Sequence, residues 1–146
     1  MTVALARTDD AYRTLAPIAA PIAARASLGE YVRQMFPGEY DMQPHHALII
    51  DKLEAVERGE ITRLMIFVAP RRGKSQITSV HFPAWYLGRN PDEWIMGCSH
   101  TASLANDFSR KVRRQLNDPA WPFGDVRLRR DEAAVGQWGV DGHEGG

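Results

Sequence analysis

Gly73-Lys74-Ser75 is the cluster in this chain whose residue types and order best suit phosphate chemistry. Glycine lets the backbone approach an anion closely, and lysine brings a mobile point charge to the outer phosphates. A serine hydroxyl can ligate the magnesium ion that accompanies a nucleoside triphosphate. Such a triplet recurs by chance, so its placement carries the reading. Here it follows a short apolar run, Arg63-Leu-Met-Ile-Phe-Val-Ala69, and precedes a helix-compatible stretch from Lys74 to about Leu87. At such a junction unpaired backbone N–H groups converge, and the helix dipole favours negative charge. Pro70, Arg71 and Arg72 complete the loop, and either guanidinium could stabilise charge that develops as a γ-phosphate leaves. The usual pattern has a glycine five residues before Gly73, where this chain has Val68. The alternative is a plain strand-to-helix turn with solvated basic residues.

A second charged feature lies later in the chain. Arg110-Lys-Val-Arg-Arg114, joined by Arg127, Arg129 and Arg130, puts seven basic against two acidic residues between Ser109 and Arg130. Arg110, Lys111, Arg113 and Arg114 could hold a DNA backbone through phosphate contacts alone. The competing reading is a solvated helix face with cations near its C-terminal end. His45 and His46 are neighbours, so a helix points them in different directions and they cannot chelate one metal as an i, i+4 pair would; one is expected to pack and one to be exposed. The single cysteine, Cys98, excludes an internal disulfide and a zinc site and reads as a small buried strand residue. Trp85, Tyr86 and Trp94 read as core and sheet-edge packing.

The elements that must position these residues alternate in type. Ser27 is placed to cap a helix in which Leu28, Tyr31, Val32, Met35 and Phe36 recur at helical spacing, stopped by Pro37-Gly38. A second helix is expected from Pro44 to Arg58, with His46, Ile49, Ile50, Leu53 and Val56 or Glu57 on one stripe and Gly59 at its end. The apolar runs Arg63–Ala69 and Trp94–Cys98 read as strands buried on both faces of a parallel sheet. Pro83 should kink or shorten the helix after the loop. A further helix from Thr101 to Leu116 turns Leu104, Phe108, Val112, Gln115 and Leu116 inward. This rhythm predicts an α/β fold, a parallel sheet flanked by helices. Two strands are fewer than the roughly four to six of a usual sheet, so the domain is expected to be incomplete, with an open sheet edge. Residues 1–26, alanine-rich and interrupted by Pro17 and Pro21, are expected to form a poorly defined arm or short helices.

With 146 residues, 18 Lys+Arg, 18 Asp+Glu and 44% hydrophobic content, the composition is that of an ordinary globular domain. It excludes collagen-like, disordered and disulfide-scaffold classes. The absence of a signal-peptide pattern and of a long apolar run leads to the expectation of an intracellular protein with no membrane partner.

Ala69-Pro-Arg-Arg-Gly-Lys-Ser75, followed by Val80-His-Phe-Pro-Ala-Trp-Tyr-Leu-Gly-Arg-Asn-Pro91, resembles the ATPase domain of tailed-bacteriophage terminase large subunits, the motors that pump DNA into capsids. That family characteristically replaces the leading glycine with a loop bearing proline and arginine, as Val68 and Pro70 to Arg72 do here. The likeness extends through Gly97–Arg110 and Arg113-Arg114, and upstream to Gln43-Pro-His-His46 and Leu53–Gly59, and so spans residues 27–146. It implies a P-loop NTPase fold of the ASCE type, ATP and Mg2+ as ligands, and double-stranded DNA as the translocated substrate. It also implies portal and small terminase subunits as partners, assembly into homo-oligomers in full-length members, and residence in the bacterial host cytoplasm with transient docking at the procapsid portal. Carried across, Gly73, Lys74 and Ser75 contact phosphate and magnesium, with Pro70 part of the same loop. Arg71 or Arg72 is the loop arginine that senses the γ-phosphate, and Gln43 faces adenine, whose N6 and N7 suit an amide that both donates and accepts. A surface turn is the alternative for Gln43.

One departure limits the expected activity. The family follows its glycine-rich segment with an apolar strand ending in acidic residues, and later with a nuclease domain. Asp131-Glu132 instead trails a basic stretch, and Asp141 and Glu144 sit among glycines. Without a water-positioning carboxylate, phosphate binding is expected to survive and hydrolysis is not. The reading is therefore the N-terminal, ATP-binding part of a packaging motor. A shortened, non-catalytic accessory module that binds DNA or motor subunits is the alternative.

Overall fold

The computed structural model describes residues 16–36, 38, 40–134 and 136–146, without the side chains of residues 130–133. Residues 1–15 of the expected arm lie outside the described residues. Its second half, residues 16–26, is a helix (α1). Ala24 is fully buried, and its carbonyl accepts from the Trp85 indole at 3.0 Å.

Helix α2 (Leu28–Met35) begins as the sequence requires, with the Ser27 hydroxyl accepting from Gly29 N at 3.1 Å. Glu54 of α3 (Pro44–Glu57) reinforces that end by accepting from Leu28 N at 2.7 Å, which ties the two helices together. In α3 the buried side chains are His46, Ile49, Ile50, Leu53 and Ala55, close to the expected stripe, and Gly59 follows with φ +75°.

From Lys74 to Arg89 the chain is one helical rod in three parts: α4 (Lys74–Gln76), a π-helical turn (Ile77–His81) and α5 (Phe82–Arg89). Pro83 neither ends nor shortens this helix. Its ring needs room at the Ser79 carbonyl and it has no N–H to give; widening the preceding turn, with Phe82 N–H donating to Ile77 O, meets both demands. Helix α6 (Ala102–Leu116), capped by the Thr101 hydroxyl, packs on the π turn and α5 through Val112, Gln115 and Leu116.

A parallel sheet flanked by helices is not what the chain forms, and with it the expected P-loop NTPase architecture falls. The only sheet among the described residues is a small antiparallel pair, β1 (Leu128–Ala133) with β2 (Trp138–Val140), in register Leu128↔Val140 and Ala133↔Trp138. The two apolar runs assigned as buried strands belong to no ladder. In the first, Leu64, Ile66 and Val68 are half-buried while Met65 and Phe67 are 79% and 84% exposed. Such period-two burial marks an extended segment covered on one face only. The second leaves Trp94 and Met96 exposed, and with them Cys98, which is therefore not the buried residue expected. The core lies instead between helices: Leu28, Tyr31 and Val32 meet Ile49, Ile50, Leu53, Ile77, Trp85 and Leu116. Trp121, Phe123 and Val126, from the turn-rich stretch after α6, close it.

Candidate functional site

The loop between Ala69 and Lys74 is built from two left-handed residues. Arg71 has φ +61° and Gly73 has φ +75°. Arg71 adopts a conformation that costs a side-chain-bearing residue about 1–2 kcal/mol, so the surrounding structure must hold it there. The holding group is an imidazole: His46 Nε2 lies 3.0 Å from the Arg72 carbonyl oxygen. His45 Nε2 approaches the same oxygen at 3.2 Å. A carbonyl oxygen has two lone pairs, so both rings can donate to it.

The other face of the His46 ring fixes its tautomer. The Gln43 backbone N–H donates to Nδ1 at 3.3 Å, and the Tyr40 hydroxyl approaches the same atom at 3.3 Å. A backbone N–H can only donate, so Nδ1 is the bare nitrogen and Nε2 carries the proton toward Arg72 O. Partial burial pushes the Tyr40 phenol up from its ordinary value, which keeps it a neutral donor. Of the two histidines, His46 is buried as one was expected to be, but His45 is half-buried against it, ring centroids 4.0 Å apart, and not exposed. What the sequence did not disclose is that the packed one braces the loop, because its partner is a backbone carbonyl 26 residues away.

This bracing brings distant expectations together. Gln43, Arg71, Arg72 and Gly73 line one cavity of about 330 Å³, shared with Tyr40, Asp41 and Gln76. That volume lies at the small end of ligand pockets. One N–H of the Gln43 amide is taken by the Asp41 carboxylate, which leaves its second N–H for a ligand. Pro70 and Ser75 are exposed, and Lys74 is half-buried. Lys74 and Ser75 do not line the cavity, although both neighbours, Gly73 and Gln76, do. Among the described residues no carboxylate forms an ion pair with Arg71, Arg72 or Lys74, three cations within four positions. Positive charge around a pocket is the electrostatic requirement for anion binding. The residues present fit a magnesium–triphosphate group in this respect. Among the described residues no group of three or more His, Cys, Asp or Glu side chains could hold a metal ion, and Ser75, the hydroxyl that the sequence offers for one, lies beside the cavity and not in its lining.

The basic run on α6 is less uniform than its sequence. Arg110 pairs with Asp107, and the Lys111 ammonium sits 5.7 Å from the centre of the Phe108 ring. Arg113 is half-buried, with its Nε enclosed and lacking a hydrogen-bond partner, while Arg114 is exposed. Arg110, Lys111 and Arg114 thus form the outward part of the patch. Arg130 lies in β1, and its side chain is outside the described residues.

No family model, curated protein or solved structure matches the chain. No described helix is long and apolar enough to cross a membrane.

Proposed function

We propose that this chain binds a nucleoside triphosphate at the Pro70–Ser75 loop, as the ATP-binding part of a DNA-packaging motor of the terminase large-subunit kind. Finer parts of the proposal are double-stranded DNA as cargo, portal and small terminase subunits as partners, assembly with further copies of the same chain, and action in a bacterial host's cytoplasm. The reading rests on the loop and its cavity, not on a nucleotide-binding sheet. The observation that carries it is the convergence of Gln43 with Arg71, Arg72 and Gly73 on one cavity, beside cations that form no ion pair among the described residues.

In this reading Lys74 and the two arginines attract the phosphates, and the Gln43 amide meets the base. Magnesium, when bound, neutralises charge on the outer phosphate oxygens, with Ser75 as its protein ligand. A second reading, an accessory module that binds without turnover, is favoured by one observation. Among the described residues no carboxylate lines the cavity except Asp41, which is already engaged by Gln43.

Calorimetric titration of Mg-ATP into the full chain tests the site. The wild type is expected to bind and Lys74→Ala to lose binding. Equal binding by the two would remove the loop assignment. Steady ATP hydrolysis by the wild type would decide against the accessory-module reading.

A further inference from the structure

Gln76 lines the loop cavity and is also the end of a hydrogen-bonded chain that starts in the core. The Tyr31 hydroxyl donates to Gln115 Oε1 at 2.9 Å. Gln115 therefore turns its NH2 toward His81, whose Nδ1 lies 2.7 Å away. An amide NH2 can only donate, so His81 Nδ1 is bare and its Nε2 carries the proton. That Nε2 lies 3.2 Å from Gln76 Nε2 as the amide is placed, which would set two donors face to face, so the Gln76 amide is assigned in the flipped sense. A donating N–H needs an acceptor, so the Gln76 atom facing it is the carbonyl oxygen. The assignment of amide oxygen and nitrogen follows the network rather than the reverse. The remaining terminal atom of Gln76 is then the NH2.

We propose that the Tyr31–Gln115–His81 chain fixes the amide of Gln76 so that it presents an N–H donor to the cavity, where it contacts phosphate oxygens of the bound nucleotide. The inference rests on the phosphate-binding reading above and adds a ligand contact to it. Tyr31, Gln115 and His81 are positioning residues. Tyr31 and His81 are fully enclosed, Gln115 is buried, and the Tyr31 and His81 rings meet edge to face with centroids 6.1 Å apart. Enclosure shields the Tyr31–Gln115–His81 part of the chain from competing water. Burial also keeps His81 neutral, with its pKa lowered to about 4, so the imidazole relays orientation and not charge. Because Gln115 lies on α6, the donor at the cavity is set by the helix that carries the basic patch.

The test uses the full chain and three probes: tripolyphosphate, Mg-ATP and adenosine. Long-range nitrogen–proton correlation on the labelled protein is expected to show His81 as the Nε2–H tautomer, and Nδ1–H would overturn the chain's polarity. Gln76→Glu, which puts a carboxylate where the donor stood, is expected to weaken tripolyphosphate and Mg-ATP by about tenfold or more and leave adenosine unchanged. Gln76→Met, of similar volume, is expected to weaken them by several-fold and serves if the glutamate variant does not fold. Tyr31→Phe is expected to give a mixture of His81 tautomers together with weaker tripolyphosphate binding. If Lys74→Ala loses tripolyphosphate while both Gln76 variants bind it like the wild type, the Gln76 contact is wrong and the loop assignment stands. If the wild type binds no tripolyphosphate, both fall.

Discussion

His46 Nε2 donates to the carbonyl oxygen of Arg72 across 3.0 Å, and the same ring stands so close to Gly73 that a Cβ there would lie 2.9 Å from Nε2. One imidazole thus sets the loop's position through a hydrogen bond and its residue choice through contact. Gly73 meets two demands at once: a left-handed φ of +75° and the absence of a side chain facing His46.

Gly73→Ala should therefore do more harm than a glycine-to-alanine change in an open turn. The left-handed conformation alone costs about 1–2 kcal/mol, and the ring or the loop must also move. The expected result is a drop of about 2 kcal/mol in unfolding free energy by urea titration. Loss of detectable Mg-ATP binding should accompany it. A variant with wild-type affinity would show that the loop tolerates displacement.

Replacing His46 by Phe keeps the ring and removes both hydrogen-bonding nitrogens. Gln43 N–H and the Tyr40 hydroxyl lie near solvent and can turn to water, so the stability cost should stay near 1 kcal/mol. Affinity should suffer more, because the Arg72 carbonyl loses its brace and Arg71 its enforced backbone conformation. A nucleotide titration beside a urea melt separates the two effects; a fall in stability with affinity unchanged would mean that the loop holds its shape unaided.

His81 makes stability depend on pH with a definite sign. Burial lowers its pKa from 6.5 to about 4, so between those values the unfolded chain binds a proton that the folded chain refuses. Stability is then fully present above pH 6.5 and declines as the pH falls toward 4, by about 3 kcal/mol in all. Urea midpoints measured from pH 7.5 downward should show this decline in the wild type. His81→Gln should flatten the part between pH 6.5 and 4.

The helices were legible because their signals are local. Ser27 caps α2, the stripe from His46 to Leu53 buries on α3, and Gly59 ends that helix with a positive φ. The sheet was not legible, because a buried strand is defined by neighbours the local pattern cannot show. Leu64, Met65, Ile66, Phe67 and Val68 are all apolar, yet they alternate between half-buried and exposed. The strand that does form, Leu128-Arg-Arg-Asp-Glu-Ala133, is charged at most positions and carries little strand signature. At the candidate site the loop and Gln43 were legible as types. The grip of His46 on Arg72 and the chain from Tyr31 to Gln76 depend on tertiary placement and leave no spacing to read.

Gly88 is a second position where a side chain has no room. It is buried on α5, and a Cβ there would fall within the contact distance of the Phe123 ring. Gly88→Ala adds one methyl to a packed interface and should cost about 1–3 kcal/mol, more than helix propensity returns. Phe123→Leu should recover part of that loss in the double variant, because the smaller side chain vacates the space. Fully additive losses in a double-mutant cycle would show that the clash relaxes elsewhere.

The basic face of α6 yields to a salt titration. Arg110, Lys111 and Arg114 are exposed, whereas Arg113 is half-buried with its Nε enclosed. If the three exposed cations touch DNA phosphates, reversing them to Glu should weaken duplex binding and reduce the slope of log affinity against log salt. The reduction should be about 0.9 for each phosphate that the variant no longer neutralises. Arg113→Glu should instead cost stability, since it buries a carboxylate where a guanidinium is already partly enclosed. An unchanged salt slope in the triple variant would return this face to ordinary solvated helix surface.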